Sequence, residues 1–412
     1  MTIWEESQIV ARAEEAQELV LFGKPSLVNI LCRYCFKRQI AVQNISYADD
    51  QKRSGSFCGV PFALMEQIGQ ESRNCLVFAL YDPHEKEQTE SAKKILERSG
   101  CKNIVSIDYG LLAELGTKEH ISLDFICVGF VKCGTSSLHR ALKKRKKIFL
   151  PKKKETLYMH WRLKAEDAPE RFNTIYFSDV KEGQTTGNIE PSYHNNADGI
   201  YECFGKDTKI LFVVRNPADA AYSYFKMLMR KTLDKRQVNY YRRYFRYHVK
   251  MFDDYIQDYL VTEDNDRFKY IKYIRKYEEY FGKDCIKVIF FEELIQNTEQ
   301  VMKEVQKFIG VKLKKIDSLP HSNEGKMVSR NYICAWINRL IYYKDIELRS
   351  NYSQKKKARH EKRKVFLHKY TLIENEEKMD PSSRIFLDEF YKDSIHELEA
   401  YCEKSLKGLW YK

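Results

Sequence analysis

A short turn near residue 130 has the residue types of a phosphate-binding loop. It lies between an apolar run and a helical pattern, and it consists of Lys132, Cys133, Gly134, Thr135, Ser136 and Ser137. A turn of small residues that opens a helix presents backbone N–H groups to an anion, and the helix dipole favours negative charge at that end. The hydroxyl groups add donors. An ordinary strand-to-helix turn would explain the glycine and the hydroxyls but not the positive charge of Lys132, so we predict a phosphate cradle.

A second candidate lies at the end of the apolar run Lys209–Val214. Arg215 follows this run directly, Pro217 opens a helical pattern, and Ser223 lies eight residues after the arginine. Ligands of open α/β sheets bind at the carboxyl ends of strands, which is where Arg215 would stand. A guanidinium and a hydroxyl from the next helical turns can hold a phosphate together. On this segment alone, a surface ion pair between Arg215 and Asp219 is an equally good interpretation.

Parallel strands are needed to bring these two segments together. Apolar runs predict buried strands at Asp124–Phe130, Lys209–Val214 and Ile286–Phe291. Earlier in the chain, strands are predicted at Ile40–Ser46, Cys75–Leu80 and Asn103–Ile107, and helices at Ser26–Leu31 and Thr89–Ser99. Such alternation is typical of a small α/β unit with a parallel sheet. We predict a linker at Gly110–His120, domains over residues 1–118 and 119–412, and helical structure from Phe225 to Tyr259.

The composition of the chain favours anionic binding partners but does not indicate which kind. The chain has 412 residues and a net charge of +13, from 71 Lys and Arg against 58 Asp and Glu. This balance favours anionic partners: nucleotides, nucleic acid, acidic glycans or a membrane surface. The basic runs Lys143–Lys154 and Lys355–Lys364 are typical of solvated helix faces; the first could also guide an anionic acceptor, and a minority interpretation of the second is peripheral membrane contact.

The cysteines and the apolar segments bear on the compartment. Eleven cysteines without a secretory pattern indicate reduced thiols and a cytoplasmic protein. Cys32 and Cys35 form one CxxC pair with no second ligand pair at zinc spacing, so buried thiols are expected rather than a metal site. No apolar stretch approaches the roughly 18 residues that a membrane-spanning helix needs.

Taken together, the two phosphate-binding segments resemble the sulfotransferase family. VGFVKCGTSSLHRAL is similar to the family's 5'-phosphosulfate loop, and ILFVVRNPADAAYSYF is similar to its 3'-phosphate strand–loop–helix. Between them, LPKKKETLYMHW resembles the segment that bears the general base, here Glu155, although Leu157 stands where the family often has histidine. GNIEPSYH, SNEGKMVSRNYI and ELEAYCEKSLKGLWYK also fit family positions. The resemblance spans about residues 120–412.

This resemblance implies transfer of a sulfuryl group from PAPS (3'-phosphoadenosine-5'-phosphosulfate) to a hydroxyl group, with PAP as product and no metal. Lys132 and the loop would stabilise charge on the sulfuryl group, and Glu155 would remove the acceptor proton. The 3'-phosphate would be held by Arg215 and Ser223, with help from Ser329 and Arg330. The expected fold is α/β: a P-loop-like, three-layer domain with a central parallel sheet, preceded by a small Rossmann-like domain.

Likeness to the branch that modifies heparan sulfate and bacterial polysaccharides implies a carbohydrate acceptor, such as a capsular or cell-surface polysaccharide. In the first domain, Phe22-Gly23-Lys24-Pro25 departs from the GxGxxG of dinucleotide-binding domains, so we favour a scaffold or docking role there. His139, His160 and His194 lie near the motifs without a paired carboxylate at suggestive spacing, and we expect them to be structural.

Two other classes of function remain open at this point. A P-loop kinase is the first, but Gly134 is followed directly by Thr135, without the lysine of a Walker A loop, and no strand ends in a Walker B-like aspartate. The second is a non-catalytic polyanion or nucleic-acid binder, which basic residues interleaved with aromatics in Tyr240–Tyr247 would favour. That interpretation leaves both phosphate-binding segments unexplained, so no nucleic-acid partner is expected.

Overall fold

The computed structural model describes residues 6–49, 51–231, 251–260, 267–311, 327–349, 354–374 and 378–411. Two parallel sheets organise these residues, one within the first 107 positions and one between residues 125 and 290. Both belong to α/β units, as the alternation of strands and helices predicts.

The first sheet has four parallel strands. Its unit comprises α1 (Glu6–Glu15), β1 (Leu19–Gly23), α2 (Pro25–Lys37), β2 (Asn44–Tyr47), β3 (Ser56–Phe57), β4 (Val60–Pro61), α3 (Met65–Glu71), β5 (Leu76–Leu80), α4 (Lys86–Ser99), β6 (Asn103–Ile107) and α5 (Tyr109–Lys118). The strand order is β2-β1-β5-β6, and every residue of β1 and β5 is buried, as expected for central parallel strands. The strands predicted at Cys75–Leu80 and Asn103–Ile107 are confirmed, whereas the one predicted at Ile40–Ser46 is limited to Asn44–Tyr47.

The predicted linker at Gly110–His120 is wrong, because this segment forms most of helix α5. Asp108 caps the helix, its Oδ1 accepting a hydrogen bond from the Leu111 N–H at 3.0 Å. Leu112 and Leu115 are buried. A Cβ added to Gly116 would approach the carbonyl oxygen of Glu202 to 2.4 Å, so the two backbones are in close contact. Helix α5 therefore packs against the second unit instead of separating the two.

The second sheet has five strands in the order β11-β10-β7-β9-β8, all parallel. Its elements begin with β7 (Phe125–Gly129), α6 (Thr135–Lys143), β8 (Ile148–Phe149), α7 (Ala168–Phe172), β9 (Thr185–Ile189), α8 (Ala197–Phe204), β10 (Lys209–Val214) and α9 (Pro217–Lys231). They continue with α10 (Met251–Tyr255), α11 (Tyr270–Phe281), β11 (Ile286–Phe290), α12 (Phe291–Gln296) and α13 (Thr298–Phe308). All-parallel sheets carry helices on both faces, which is the predicted three-layer arrangement. The three strands predicted here are confirmed as β7, β10 and β11.

The remaining elements follow the second sheet along the chain. They are β12 (Met327–Ser329), α14 (Tyr332–Arg349), α15 (Gln354–Thr371), β13 (Leu372–Glu374), α16 (Pro381–Phe390) and α17 (Lys392–Cys402). Strands β12 and β13 pair antiparallel. The helical structure predicted from Phe225 to Tyr259 is confirmed where it is described. Residues 225–231 and 251–255 are α-helical, and residues 256–260 form a π-helix. Tyr240–Tyr247 lies outside the described residues. Within the described ranges, no helix is both long and apolar enough to cross a membrane.

One hydrophobic core extends across both sheets. Leu19 and Leu21 of β1 belong to the same buried cluster as Phe125 of β7 and Phe212 of β10. Val20 and Phe22, which alternate with the two leucines, belong to a smaller cluster on the opposite face of the first sheet. Successive side chains of a strand point to opposite faces. The first sheet therefore turns one face towards the core that it shares with the second.

A buried cluster of charges also joins the two units. The Nζ atom of Lys24, just after β1, lies 2.9 Å from Asp82 Oδ2, just after β5. The same Nζ lies 2.5 Å from Asp198 and 3.1 Å from Glu202, both on α8. Burial opposes the charge on Lys24, but Glu202, Asp198 and Asp82 outweigh it and raise the pKa of the ammonium. This cluster therefore stands at the carboxyl edge of the first sheet, where open α/β sheets bind ligands.

Replacing Lys24 tests how much this cluster stabilises the fold. We expect Lys24→Met to lower the free energy of unfolding by ~3–5 kcal/mol, because it leaves three carboxylates without their shared cation. Denaturant unfolding at pH 7 measures the change. Lys93→Met is the control, since Lys93 pairs with Glu90 on a solvent-exposed helix surface, where an ion pair contributes ~0–1 kcal/mol. Equal stability of the two variants would contradict the role of the cluster.

Candidate active site

The predicted phosphate cradle follows β7 and leads directly into α6. The Phe130 N–H donates to the carbonyl oxygen of Val213 at 2.9 Å, which ties the start of the turn to β10. Lys132 and Gly134 both have positive φ, at 71° and 96°. Helix α6 begins at Thr135, and the Ser137 N–H donates to the Gly134 carbonyl oxygen at 2.8 Å. The turn thus opens a helix of nine residues, the arrangement that binds anions at a helix N-terminus.

The ring of Phe291 brings the two phosphate-binding segments together. Phe291 follows β11, the strand beside β10 at the edge of the sheet. A Cβ added to Gly134 would lie 2.1 Å from Cδ2 of this ring, so only glycine fits against it. The guanidinium carbon of Arg215 lies 5.0 Å from the centroid of the same ring, within cation–π range. Gly134 and Arg215, 81 residues apart in the sequence, therefore contact one aromatic side chain.

Tyr270 provides a second link between the two segments. Its hydroxyl group donates to the carbonyl oxygen of Arg215 at 2.9 Å and lies 3.4 Å from the Cys133 Sγ. Both Tyr270 and Cys133 are buried. Burial raises the pKa of the Cys133 thiol to about 12, so the thiol stays neutral at physiological pH. Cys133 is therefore a packing residue of the loop.

The residues after Arg215 fix the start of α9. Asn216 Oδ1 accepts a hydrogen bond from the Asp219 N–H at 3.2 Å and caps the helix. The alternative interpretation, in which Arg215 pairs with Asp219, does not match the described ion pairs, where Asp219 Oδ1 lies 2.9 Å from Arg384 Nη1. Ser223 is partly buried on the second turn of α9. The structure thus places Arg215 at the carboxyl end of β10, as predicted.

Glu292 connects this region to the end of the chain. One carboxylate oxygen accepts from the Asn216 N–H at 3.0 Å and the other accepts from the Trp410 Nε1–H at 2.9 Å. The Asn216 side-chain amide donates to the Trp410 carbonyl oxygen at 3.0 Å. Burial raises the pKa of Glu292, while both hydrogen bonds and the charge of Arg215 oppose the rise. Trp410, in the closing segment, therefore braces the loop after β10.

Glu155 lies in a turn with an unusual backbone. Glu155 and Leu157 have positive φ, at 64° and 56°, a conformation that costs a non-glycine residue ~1–2 kcal/mol. The Glu155 carboxylate is 36% exposed and lies 2.6 Å from Lys154 Nζ, which is 16% exposed. A carboxylate that is open to solvent on one side and paired on the other can receive a proton from a bound hydroxyl group.

The electrostatics of His139 locate Glu155 relative to the phosphate cradle. His139 is buried on α6, and burial, aided by Lys143, Lys154 and Arg140, lowers the pKa of its imidazole to about 4, while Glu155 acts in the opposite direction. Lys154 and Glu155 therefore lie within electrostatic range of the helix that the cradle opens. The imidazole is neutral at pH 7 because its pKa is far below that value.

The other two histidines have aromatic surroundings. His194 lies between the rings of Phe130 and Tyr273, at centroid distances of 5.4 and 4.8 Å. Burial lowers the pKa of His194 to about 3. His160 lies 5.8 Å from the ring of Tyr193. These contacts favour the structural roles expected for both.

Ser329 and Arg330 lie at the end of β12. Ser329 is fully buried, and its hydroxyl group donates to the Met229 carbonyl oxygen at 3.2 Å and accepts from the Asn338 side chain at 2.8 Å. Arg330 is exposed, and its N–H donates to the Thr371 carbonyl oxygen at 2.8 Å. The hydroxyl of Ser329 thus joins β12 to α9, and the part of either residue in holding a 3'-phosphate stays a prediction.

Three residues of this region were not assigned a role from the sequence. They are Phe291, Tyr270 and Glu190, the last lying within the quoted GNIEPSYH segment. Phe291 and Tyr270 are aromatic residues in segments rich in aromatics, so the sequence offers no signal that separates them from core residues. Glu190 follows β9, whose sequence TTGNI is largely polar, so no local pattern signals that this glutamate is buried.

Comparison with known proteins identifies the family of this chain. Residues 122–399, more than half of the chain, match the sulfotransferase domain. The chain belongs to the sulfotransferase family. It is a sulfotransferase by family and by its parallel α/β fold, and the resemblance inferred from its motifs is confirmed at that level. A search of curated proteins gives no match.

Three solved sulfotransferases are among the structures to which the chain is similar. A sulfotransferase from Alicyclobacillus acidocaldarius covers 70% of this chain and 99% of its own, with 22% identity and a TM-score of 0.43. A mouse sulfotransferase complexed with PAP covers 48% of this chain and 63% of its own, with 16% identity and a TM-score of 0.32. The sulfotransferase domain of the Synechococcus PCC 7002 olefin synthase covers 47% and 75%, with 13% identity and a TM-score of 0.30. All three TM-scores are below 0.5, so the family assignment rests on the domain match.

Two glycine substitutions separate backbone strain from contact with Phe291. Gly134 and Gly183 both have positive φ, but a Cβ at Gly183 would meet no atom within 4 Å. We expect PAP to stabilise the wild type against heat, and Gly134→Ala to displace the Phe291 ring and to abolish that stabilisation. Thermal melting with and without PAP measures this effect. Gly183→Ala carries similar backbone strain and should keep the PAP-induced shift; the same loss in both variants would contradict the role of the ring contact.

Proposed function

We propose that this sulfotransferase transfers a sulfuryl group from PAPS to a hydroxyl group of a carbohydrate, with Glu155 as general base. The observation that carries the proposal is the contact of Gly134 and Arg215 with one Phe291 ring. It supports a site in which a phosphate cradle and a guanidinium act on one nucleotide at the carboxyl edge of the sheet.

The residues of the cradle suit the 5'-phosphosulfate end of the donor. Gly134 lets the Phe291 ring pack directly against the turn. The N–H groups of Thr135 and Ser136, the first two of α6, have no partner one turn earlier within the helix and would donate to the anion. Lys132 would place its ammonium beside the transferred group, where it would stabilise the negative charge that develops there. The donor supplies an activated sulfuryl group, so the protein needs no covalent intermediate.

The residues at the end of β10 suit the other phosphate of the donor. Arg215 would bind the 3'-phosphate with a charge-assisted hydrogen bond, and Ser223, on the following helix, would add a hydroxyl donor. Ser329 and Arg330 complete the proposed set. The brace from Glu292 and Trp410 keeps the backbone at Asn216 in place, so that Arg215 starts from a fixed position.

Glu155 would act on the acceptor. As the acceptor oxygen attacks the sulfur in line, the oxygen–sulfur bond forms, the bond from sulfur to the PAP phosphate breaks, and Glu155 takes the hydroxyl proton. General-base catalysis of this kind contributes ~10²–10⁴ to the rate. Lys154, paired with Glu155 in the structure, favours the ionised carboxylate that this role requires.

The acceptor and the first domain complete the proposal. A polysaccharide with anionic groups fits the basic run Lys143–Lys154, which ends beside Glu155. For the first domain, residues 1–118, we propose a scaffold role, because the ion cluster of Lys24 joins its ligand-binding edge to α8. A cytoplasmic location is part of the proposal and is supported by the cysteines, since seven of the eleven are buried free thiols. One of these seven, Cys133, packs against the site.

Removing the arginine tests the donor site. We expect Arg215→Ala to weaken PAP binding ~10–100-fold, since a hydrogen bond to a charged group contributes ~1.5–3 kcal/mol. Calorimetric titration with PAP measures the affinity. Arg98→Ala, at an exposed position of α4, is the control and should bind PAP as the wild type does. Unchanged affinity in Arg215→Ala, or stabilisation of the wild type by ATP or an oligonucleotide but not by PAP, would overturn the donor assignment.

Removing the base separates catalysis from binding. We expect Glu155→Gln to lower kcat ~10²–10⁴-fold and to leave the affinity for PAP unchanged, because the carboxylate acts on the acceptor proton only. Transfer from labelled PAPS to a panel of glycans, phenols and lipids measures turnover and identifies the acceptor class. Glu182→Gln, at an exposed position, is the matched control. Full turnover by Glu155→Gln would exclude this residue as the base.

A further inference from the structure

Glu190 is a fully buried carboxyl group beside the candidate base. It follows β9 directly, and its N–H donates to the Cys127 carbonyl oxygen on β7 at 2.7 Å. The backbone of Glu190 is therefore fixed to the strand that leads into the phosphate cradle. A buried carboxyl group is seldom tolerated without a partner, so its contacts indicate what it does.

One oxygen of Glu190 holds the backbone of the turn that carries Glu155. Its Oε1 accepts a hydrogen bond from the Leu157 N–H at 3.1 Å. Leu157 has φ of 56° and Glu155 has φ of 64°. A residue other than glycine keeps a left-handed backbone only where contacts with the surrounding structure hold it there. The hydrogen bond from Leu157 to Glu190 is a contact that imposes this backbone.

Neighbours of Glu190 hold the same turn. The Asn188 side chain donates to the Thr156 hydroxyl at 3.3 Å, and the Tyr193 hydroxyl accepts from the Met159 N–H at 3.0 Å. Thr156 is buried. The segment that follows β9 therefore forms one side of a frame for residues 156–159, and Glu190 occupies the middle of that frame.

The surroundings of Glu190 favour the protonated form of its carboxyl group. Oε2 is buried and, among the described residues, has no hydrogen-bond partner. Burial raises the pKa of Glu190 to about 8; the negative charge of Glu155 acts in the same direction, while Thr156, the Leu157 N–H and Lys154 oppose it. At neutral pH the carboxyl group is mainly protonated.

The other titratable groups near Glu190 carry no charge at neutral pH. Burial raises the pKa of Tyr193 well above its ordinary value and that of the Cys127 thiol on β7 to about 12. Among the described residues, the charges that act most on the pKa of Glu190 are those of Glu155 and Lys154, both in the adjoining turn.

We infer that Glu190 is a positioning residue for sulfuryl transfer: its buried carboxyl group accepts the Leu157 N–H, fixes the left-handed turn at Glu155–Leu157 and so sets the place of the base. The inference rests on the proposed function, since it assigns Glu190 to the base of that reaction. Neutrality is part of the role. A second carboxylate beside Glu155 would repel it, whereas the protonated group holds the turn without adding a charge.

Two substitutions at Glu190 distinguish positioning from bulk packing. Glu190→Gln keeps a carbonyl oxygen for the Leu157 N–H and is neutral, so we expect its kcat at pH 7 to stay within about threefold of the wild type. Glu190→Ala removes the acceptor, and we expect kcat to fall at least tenfold while the affinity for PAP stays within about twofold. Glu202→Gln, at another fully buried carboxyl group on α8, is the control and should change stability but not kcat.

The outcomes separate this inference from the proposed function. Glu190→Ala with the kcat of the wild type, or Glu190→Gln as impaired as Glu190→Ala, would overturn the positioning role. A wild-type protein that binds PAP but transfers no sulfuryl group would contradict the proposed function instead.

Stability against pH tests Glu190 without activity, and it applies if Glu190→Ala does not fold. The unfolded carboxyl group ionises near its ordinary pKa of 4.5, whereas the folded group stays protonated up to about 8. The free energy of unfolding of the wild type must therefore fall as the pH rises from 4.5 to about 8. Glu190→Gln has no carboxyl group to ionise and must lack this part of the decrease. We expect the melting temperature of Glu190→Gln relative to the wild type to increase from pH 5 to pH 8. A constant difference would show that Glu190 is ionised in the folded protein and overturn the inference.

Discussion

The packing of the Phe291 ring against Gly134 and Arg215 sets the geometry on which the proposed site depends. The ring comes from the end of β11, whereas the two segments that it contacts follow β7 and β10. Three parallel strands thus each contribute their carboxyl end to one place. The sheet fixes the spacing of these strands, and the Phe291 ring lies against both segments. The distance between the phosphate cradle and the Arg215 guanidinium is therefore fixed. Tyr270 and the brace from Glu292 to Trp410 reinforce that arrangement from either side.

Buried polar groups bind the rest of the molecule to this centre. Lys24 joins the first sheet to α8 through three carboxylates, and α8 follows the segment that frames the Glu155 turn. Buried charges are costly unless they are paired, so the contacts of Lys24 with Asp198 and Glu202 stabilise the packing of the first unit against the second. The shared hydrophobic core has the same consequence. The first unit is therefore an integral part of the enzyme's structure.

The backbone of the Glu155 turn shows how a site tolerates unfavourable conformations. Glu155 and Leu157 are both left-handed, which bulky residues avoid. Hydrogen bonds from Leu157 to Glu190 and from Met159 to Tyr193 offset that cost. The surroundings thus leave the Glu155 carboxylate partly exposed beside Lys154 and keep the carboxyl group of Glu190 fully buried, where burial raises its pKa.

Strands β7, β10 and β11 and the two candidate phosphate-binding segments could be predicted from the sequence, because both depend on local patterns: apolar runs of five or six residues, and small, basic and hydroxyl residues at the turns that follow. Helix α5 was mistaken for a linker, because its apolar residues are buried against α2 and α8, and no local pattern shows these contacts. The parts played by Phe291, Lys24 and Glu190 depend on tertiary contacts alone. Each acts through partners on other elements, such as Glu202 for Lys24, and a pairing between distant residues leaves no local pattern in the chain.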